Sequence, residues 1–385
     1  MKPFARIPAE IPRSGIREVM DLAWAAEKTG EVIHLEVGQP DFDTPAHIID
    51  ATCRFANAGH TKYVPNAGVD PLRAAAARYF ERSTGVATGP EHILVTPGAV
   101  MSVASSFLAL LEPGDEVLLP DPGWPNYHMA VSIVHGQPVF YNLRAENHFL
   151  PDLDEIESLI SEKTKLMLLC TPSNPTGQVY DQTLMRELMG LAQRHDLWVL
   201  SDEIYGEIVF ADQHHSALPH DEDGRTLIVS GMSKSFAMTG YRVGFTRANP
   251  DYIELAAKLQ EPFVSCGTGF SQLASAEALD GPQETVAQMR EAYRRRRDIA
   301  LEVLRAHDLY RYTPGGAIYL MIDIAASGMD SRDFAVRLLE EKRVAVAPGK
   351  TFGKMCADHV RISIAAEDDH IRRGVTAICE LVKGK

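Results

Sequence analysis

The 385-residue chain is short of three things: positive charge, cysteine and long apolar runs. Lysine and arginine number 38 against 52 aspartates and glutamates, a net charge of −14, which argues against nucleic acid or an anionic membrane as the main partner. A small acidic substrate stays open, because a basic pocket can sit in an acidic protein. The five cysteines (Cys53, Cys170, Cys266, Cys356, Cys379) are far apart and form no CxxC pair. That excludes a disulfide framework and a zinc ribbon and fits a reducing compartment. No run of about 18 uncharged apolar residues occurs, and MKPFARIPAEIPRSGIREVM at the start holds no signal-peptide core. A soluble, cytoplasmic protein is expected. With 45% apolar and 23% charged residues the chain is neither disordered nor fibrous, and its length suits two or three domains or one large α/β unit with an appendage.

Short β-branched runs alternate with helix-periodic segments, the pattern of a mostly parallel sheet covered by helices on both faces. Expected strands are Ile93 to Thr96, Glu116 to Leu119, Lys165 to Cys170, Trp198 to Ser201, Thr226 to Ser230 and Arg242 to Thr246. Helices are expected at Val100 to Leu111 and Gln182 to His195. After Pro250 the texture shifts to long helices, one around Gln288 to Ala306, and a smaller strand set: Ala317 to Ile324, Val344 to Ala347 and His359 to Ile364. A helix at Ile16 to Glu27 and a strand at Val32 to Val37 are expected to join this C-terminal part.

Several matches fail. Gly349-Lys350-Thr351 lacks the first glycine of a phosphate-binding loop, having Val344 there, and Gly267-Thr268-Gly269 lacks the third glycine of a dinucleotide fingerprint. His214, His215 and His220 sit in a polar loop without the spacing of a metal site. Arg294 to Arg297, flanked by Glu291 and Asp298, reads as a solvated helix face.

What survives is an ordered series at strand ends, where ligands gather in open parallel sheets. Thr96-Pro97-Gly98-Ala99-Val100 is a small-residue turn into a helix whose free N–H groups suit a phosphate. Trp124 follows a Pro/Gly turn, and Asn174-Pro175-Thr176-Gly177 follows a strand; alone, the first reads as a core aromatic and the second as a turn. Asp202 ends an apolar run, a place where a carboxylate calls for a cationic partner. Lys234 lies among small and apolar residues in SGMSKSFAMTGYR, which frees its amine to act as nucleophile or proton shuttle, and Arg242 follows across a glycine turn.

Taken in order, Tyr63, Gly98, Trp124, NPTG at Asn174, DEIY at Asp202, SKSFAMTGYR around Lys234 and VRISIA at Arg361 resemble the class I/II aminotransferases, the fold-type I pyridoxal phosphate enzymes. The likeness is to the bacterial aspartate, alanine and aromatic branch and spans VGQPDF at Val37 to VRISIA. It implies a large domain (41–275) with a mostly parallel seven-stranded sheet between helices, and a smaller α/β domain (276–385) joined by segment 1–40. It implies pyridoxal 5'-phosphate as cofactor, amino acid and 2-oxo acid as substrates, and no metal.

In that family pattern Lys234 joins the cofactor aldehyde as a Schiff base and, once displaced by the substrate amine, shuttles a proton between the substrate α-carbon and the cofactor C4′. Asp202 pairs with the pyridine nitrogen, Tyr205 and Asn174 bond the phenolic oxygen, and Trp124 stacks on the ring. The phosphate falls to Gly98, Ala99, Val100, Arg242 and a serine, with Ser233 ranked ahead of Ser230. Arg361 takes the substrate α-carboxylate beside the Gly38 backbone. Tyr63 matches a tyrosine that reaches the neighbouring subunit's phosphate, which implies a homodimer. Relatives selective for dicarboxylates often carry a cation where this chain has Val100, so a neutral or aromatic donor is expected. The alternatives in the fold are a C–S lyase or an aminocyclopropane-carboxylate-synthase-like enzyme. The cofactor module of a transcription regulator would need a basic helix-turn-helix segment, for which this sequence has no room.

Overall fold

The computed structural model describes residues 4, 11, 13–210 and 213–384, so much of the segment before residue 13 lies outside the described residues. Its strands are β1 (Ile33–His34), β2 (Ile93–Thr96), β3 (Glu116–Asp121), β4 (Gln137–Asn142), β5 (Thr164–Cys170), β6 (Trp198–Asp202), β7 (Thr226–Gly231), β8 (Gly244–Arg247), β9 (Tyr319–Asp323), β10 (Val344–Ala345), β11 (Ala347–Pro348) and β12 (His359–Ser363). Seven of them make one sheet in the order β2-β8-β7-β6-β5-β3-β4. Only β8 runs against its neighbours; β4, β3, β5, β6 and β7 are parallel in turn. The central strands are apolar almost throughout and buried on both faces, because helices cover both sides of the sheet. The helix Gln182–Arg194, between β5 and β6, is started by Asp181, whose carboxylate accepts from the Leu184 N–H at 2.8 Å.

Four expectations needed correction. β4 has no counterpart among the expected strands, since Pro138 interrupts its run; an edge strand tolerates that proline. The strand expected from Arg242 begins instead at Gly244, because Arg242 adopts a left-handed φ of 55° at the end of a 3₁₀ turn. The ladder expected over Val32 to Val37 is only β1 long, matching its two-residue partner β10, although Leu35 extends the bonding to Ala345 and Ser363. The arginine run does not form one solvated face. Four successive residues circle a helix, about 100° apiece. Arg296 therefore points inward at 6% exposure and forks onto Asp41 at 2.8 and 2.9 Å, and Arg297 lies over the Phe210 ring.

The smaller layer consists of the antiparallel sheet β11-β12-β9 and the β1/β10 ladder. The helices Glu284–Ala306, Ser331–Lys342 and Asp368–Val382 pack around it, and the helix Gly15–Glu27 lies against Ser331–Lys342. The helix Gly15–Glu27 and β1 thus share one layer with the C-terminal elements. Among the described residues, no helix is long and apolar enough to cross a membrane.

One close approach fixes the geometry at the C-terminal edge. Gly244 of β8 lies so near the turn into the helix Ala99–Leu110 that a Cβ there would stand 2.3 Å from the Ala99 nitrogen and 2.5 Å from the Gly98 carbonyl carbon. Backbone cannot rotate away as a flexible side chain can. Gly244→Ala is therefore expected to cost about 1–3 kcal/mol in urea unfolding, the usual range for overpacking. Unaltered stability would mean that this contact is slack.

Candidate functional site

The strand ends of the large sheet open on a cavity of about 990 Å³ whose far wall comes from the N-terminal segment and β9 and β12. Of the residues singled out in the sequence, Gly38, Ala99, Val100, Trp124, Asn174, Asp202, Tyr205, Ser233, Lys234, Arg242 and Arg361 line it. Gly98 sits just behind, in left-handed φ of 82°, where a Cβ would stand 2.4 Å from Arg242 Nη2. Ser230 lines a separate pocket with Tyr79 and Glu203, so of the two serines only Ser233 faces the cavity. Tyr63 is 90% exposed and stands outside it.

Asp202 is the last residue of β6, with 4% of its surface exposed. Its carboxylate accepts from the Tyr127 hydroxyl at 2.7 Å and the Ile204 N–H at 3.2 Å. The cation expected beside it is not supplied by the chain: among the described residues no lysine, arginine or histidine forms an ion pair with it. Desolvation therefore pushes its pKa up from 3.8 to about 6, against the lowering effect of the two hydrogen bonds, while neighbouring Glu203 raises it further and Lys234 lowers it. Glu203 turns the other way and is fully engaged by Ser201, Ser216, the Ala217 N–H and His214.

Lys234 lies in the short helix that follows β7 and donates from Nζ to the Gly38 carbonyl. Its Nζ stands 5.9 Å from the centre of the Tyr205 ring. The Tyr205 hydroxyl meets that of Tyr319 at 2.7 Å, and burial first, then the adjoining phenol, push its pKa up. Arg242, turned back by its left-handed backbone, donates to the Thr239 carbonyl at 2.9 Å and lies beside Gly98, next to the first-turn N–H groups of Ala99–Leu110. Those groups lack intrahelical acceptors and together with the guanidinium form an anion cradle.

Arg361 projects from β12 with 2% exposure. It donates to Asn174 Oδ1 at 3.1 Å and to the Glu36 carbonyl, and its guanidinium lies over the rings of Tyr319 (4.3 Å) and Phe352 (4.7 Å). Among the described residues its Nε has no partner, and burial lowers its pKa. Trp124 meets Tyr127 edge-on, ring centres 5.4 Å apart. Tyr127, Tyr319, Arg17 and His34 also line the cavity and were not read from the sequence. Tyr127 had one local signal, its place one helical turn after Trp124; the others are brought in only by the tertiary fold.

The cavity thus offers an anion cradle, a buried carboxylate lacking a cation, an amine and an arginine with a free donor. Such a set suits a flat ligand with a phosphate at one end and a protonatable ring nitrogen at the other, plus a carboxylate substrate. The carboxyl of Asp202 is less acidic in the fold than in the unfolded chain, so the ligand-free protein loses stability as pH rises from about 4 to above 6. Ligand-free Asp202→Asn lacks that loss. In urea unfolding it is expected to match the parent near pH 4 and exceed it by up to about 3 kcal/mol at pH 7.5; a pH-independent difference would contradict the buried, unpaired charge.

The family model for aminotransferase class I and II matches residues 30–378. The chain is 36% identical over 348 residues to an aspartate/prephenate aminotransferase of Thermus thermophilus, covering 90% of this chain and 89% of that one. It is 34% identical over 378 residues to aromatic-amino-acid aminotransferase 2 of Thermococcus litoralis, covering 97% and 96%. Among solved structures, Thermus thermophilus aspartate aminotransferase with maleate superposes with a TM-score of 0.95 at 34% identity, over 99% of this chain and 100% of that one.

Proposed function

We propose a substrate class and a division of labour for a chain that belongs to the class I and II aminotransferases. It is a pyridoxal 5'-phosphate-dependent aminotransferase, acting on an amino acid and a 2-oxo acid. In our reading the amino donor is an L-amino acid with a neutral or aromatic side chain, and the acceptor is 2-oxoglutarate or pyruvate. The observation that carries the reading is that Lys234, Asp202 and Arg361, from distant parts of the chain, open on one cavity. The substrate class rests on the wall around it: Val100, Trp124, Ile16, Met20 and Trp24 present apolar surface where a substrate side chain would lie.

The cofactor fits the residues present. Asp202, buried without a cation, suits a protonated pyridine nitrogen, and Arg242 with the turn at Gly98, Ala99 and Val100 suits the phosphate. Bound there, pyridoxal phosphate supplies an aldehyde that amines join and a ring that draws electrons from the substrate Cα–H bond. Asp202 keeps negative charge facing the ring nitrogen, with Tyr127 holding its carboxylate in place. Tyr205 and Asn174 present donors toward the phenolic oxygen, and Trp124 covers a ring face. Arg361 binds the α-carboxylate through its planar fork, which aligns the Cα–H bond for cleavage. Lys234 Nζ would take the proton from Cα of the amino donor and, in the return half-reaction, give one to the α-carbon of the 2-oxo acid, as a flexible amine at the cavity floor can.

Residues 41–275 act as the cofactor-binding domain, with 1–40 and 276–385 joined as the small domain, a division supported by the β1/β10 pairing. Tyr63, exposed on this subunit, reaches the phosphate of a second copy, so the working form is a homodimer. The unpaired cysteines favour the cytoplasm.

Lys234→Ala is expected to lower turnover with every amino acid by about 10²–10⁴-fold, the range for losing a general base. Unimpaired turnover would remove Lys234 from the chemistry. In assays of the purified holoenzyme with one acceptor, kcat/KM for phenylalanine or alanine should exceed that for aspartate; a higher value for aspartate overturns the donor assignment. Release of pyruvate and ammonia from cysteine conjugates would favour the lyase instead.

A further inference from the structure

Arg361 is held by more than the residues that line the cavity. It bonds Asn174 and Glu36, and its guanidinium lies over the rings of Tyr319 and Phe352, at 4.3 and 4.7 Å. Tyr319 belongs to β9 and pairs in register with Ser363 of β12, so the small sheet itself places that ring. Phe352 has no strand to place it. It lies in the stretch Gly349–Cys356, two short 3₁₀ turns between β11 and β12, and is 4% exposed. Part of what holds this stretch comes from the large sheet, at the end of β3.

Asp121 is the last residue of β3 and is 5% exposed. Its two carboxylate oxygens accept separately from consecutive backbone N–H groups of that stretch, Lys354 at 3.0 Å and Met355 at 3.1 Å. Two positions on, the Gly123 N–H donates to the Phe352 carbonyl at 2.8 Å. Gly353 lies against the carboxylate with φ of 145°, where a Cβ would stand 2.5 Å from the Asp121 carboxyl carbon. Two N–H donors facing two oxygens specify an ionised carboxylate, because an asparagine of the same shape offers one oxygen and turns a donor toward the other N–H. Neither Asp121 nor Phe352 lines the cavity, whereas Trp124, three residues after Asp121, does. The turn that presents Trp124 to the cavity thus also fastens the ring that lies against Arg361.

Resting on the aminotransferase reading above, we propose that Asp121 is a positioning residue for the α-carboxylate subsite, clamping the Gly349–Cys356 stretch so that Phe352 stays against the Arg361 guanidinium. Amino donor and 2-oxo acid each present an α-carboxylate to Arg361 in turn, so a loosened clamp weakens both to a similar degree. Lys234, Asp202 and Arg242 stand on other elements, which leaves the cofactor's anchors in place.

The test is steady-state kinetics of the holoenzyme, with cofactor affinity measured alongside. Asp121→Asn is expected to raise KM about 3- to 30-fold for donor and acceptor alike, the size of a desolvated cation–ring contact, with kcat little changed and cofactor affinity as in the parent. Phe352→Leu should do the same, and the double variant should be no worse than the larger single one, because both act through one contact. Gly353→Ala opens the clamp from the loop side and should reproduce the KM rise, so the role is tested where Asp121→Asn does not fold. Unchanged KM in Asp121→Asn, or in Gly353→Ala where only that variant folds, overturns the role of Asp121 and leaves the aminotransferase reading standing. A fall in kcat with KM unchanged, the mark of an acid that only supports the fold, overturns it too, as do additive losses in the double variant. A parent enzyme that transaminates no pair of amino acid and 2-oxo acid brings down the functional reading itself.

Discussion

The charge of Asp202 is the constraint around which this structure is arranged. Apolar β5, β6 and β7 strip water from the strand ends, and the last side chain of β6 is an acid whose only bonded partners among the described residues are a phenol and one N–H. A lone carboxylate in such a place is costly in its charged form. The chain satisfies Glu203, one position on, with four donors and leaves Asp202 short. The unmet need is directed into the cavity, so a cation arriving there is bound by a field that already exists. A preformed field costs nothing to reorganise when the ligand binds.

Much of this was legible in the order of residues. Asp202, Lys234 and Asn174 each follow an apolar strand, and a parallel sheet brings its carboxyl ends together whatever their separation in sequence. Strand starts and helix caps such as Asp181 were equally local. The misreadings have physical causes. Pro138 hides β4 because propensity knows nothing of an edge position, and Arg296 looked solvated because its partners, Asp41 and Asp368, come from elsewhere in the chain. Tyr127 and Tyr319 carry no motif; they matter through the partners that folding gives them.

The two walls of the cavity differ in construction. The floor is set by backbone that cannot shift, with Gly244 pressed against the turn at Gly98 and Ala99. The opposite wall is an amphipathic helix with Met20 buried and Trp24 half exposed, held to the small layer by contacts with Ser331–Lys342 and an Arg332 to Glu18 ion pair. Rigid chemistry and adaptable recognition thus occupy different parts of the fold. Residues on the second wall can change without disturbing the registry of the first.

Arg361 ties together three stretches of chain that have no local reason to meet: Glu36 from the first tenth, Asn174 from the middle and β12 near the end. A chain cut short of β12 would therefore lack the guanidinium that joins Glu36 to Asn174, whatever else of the fold it kept.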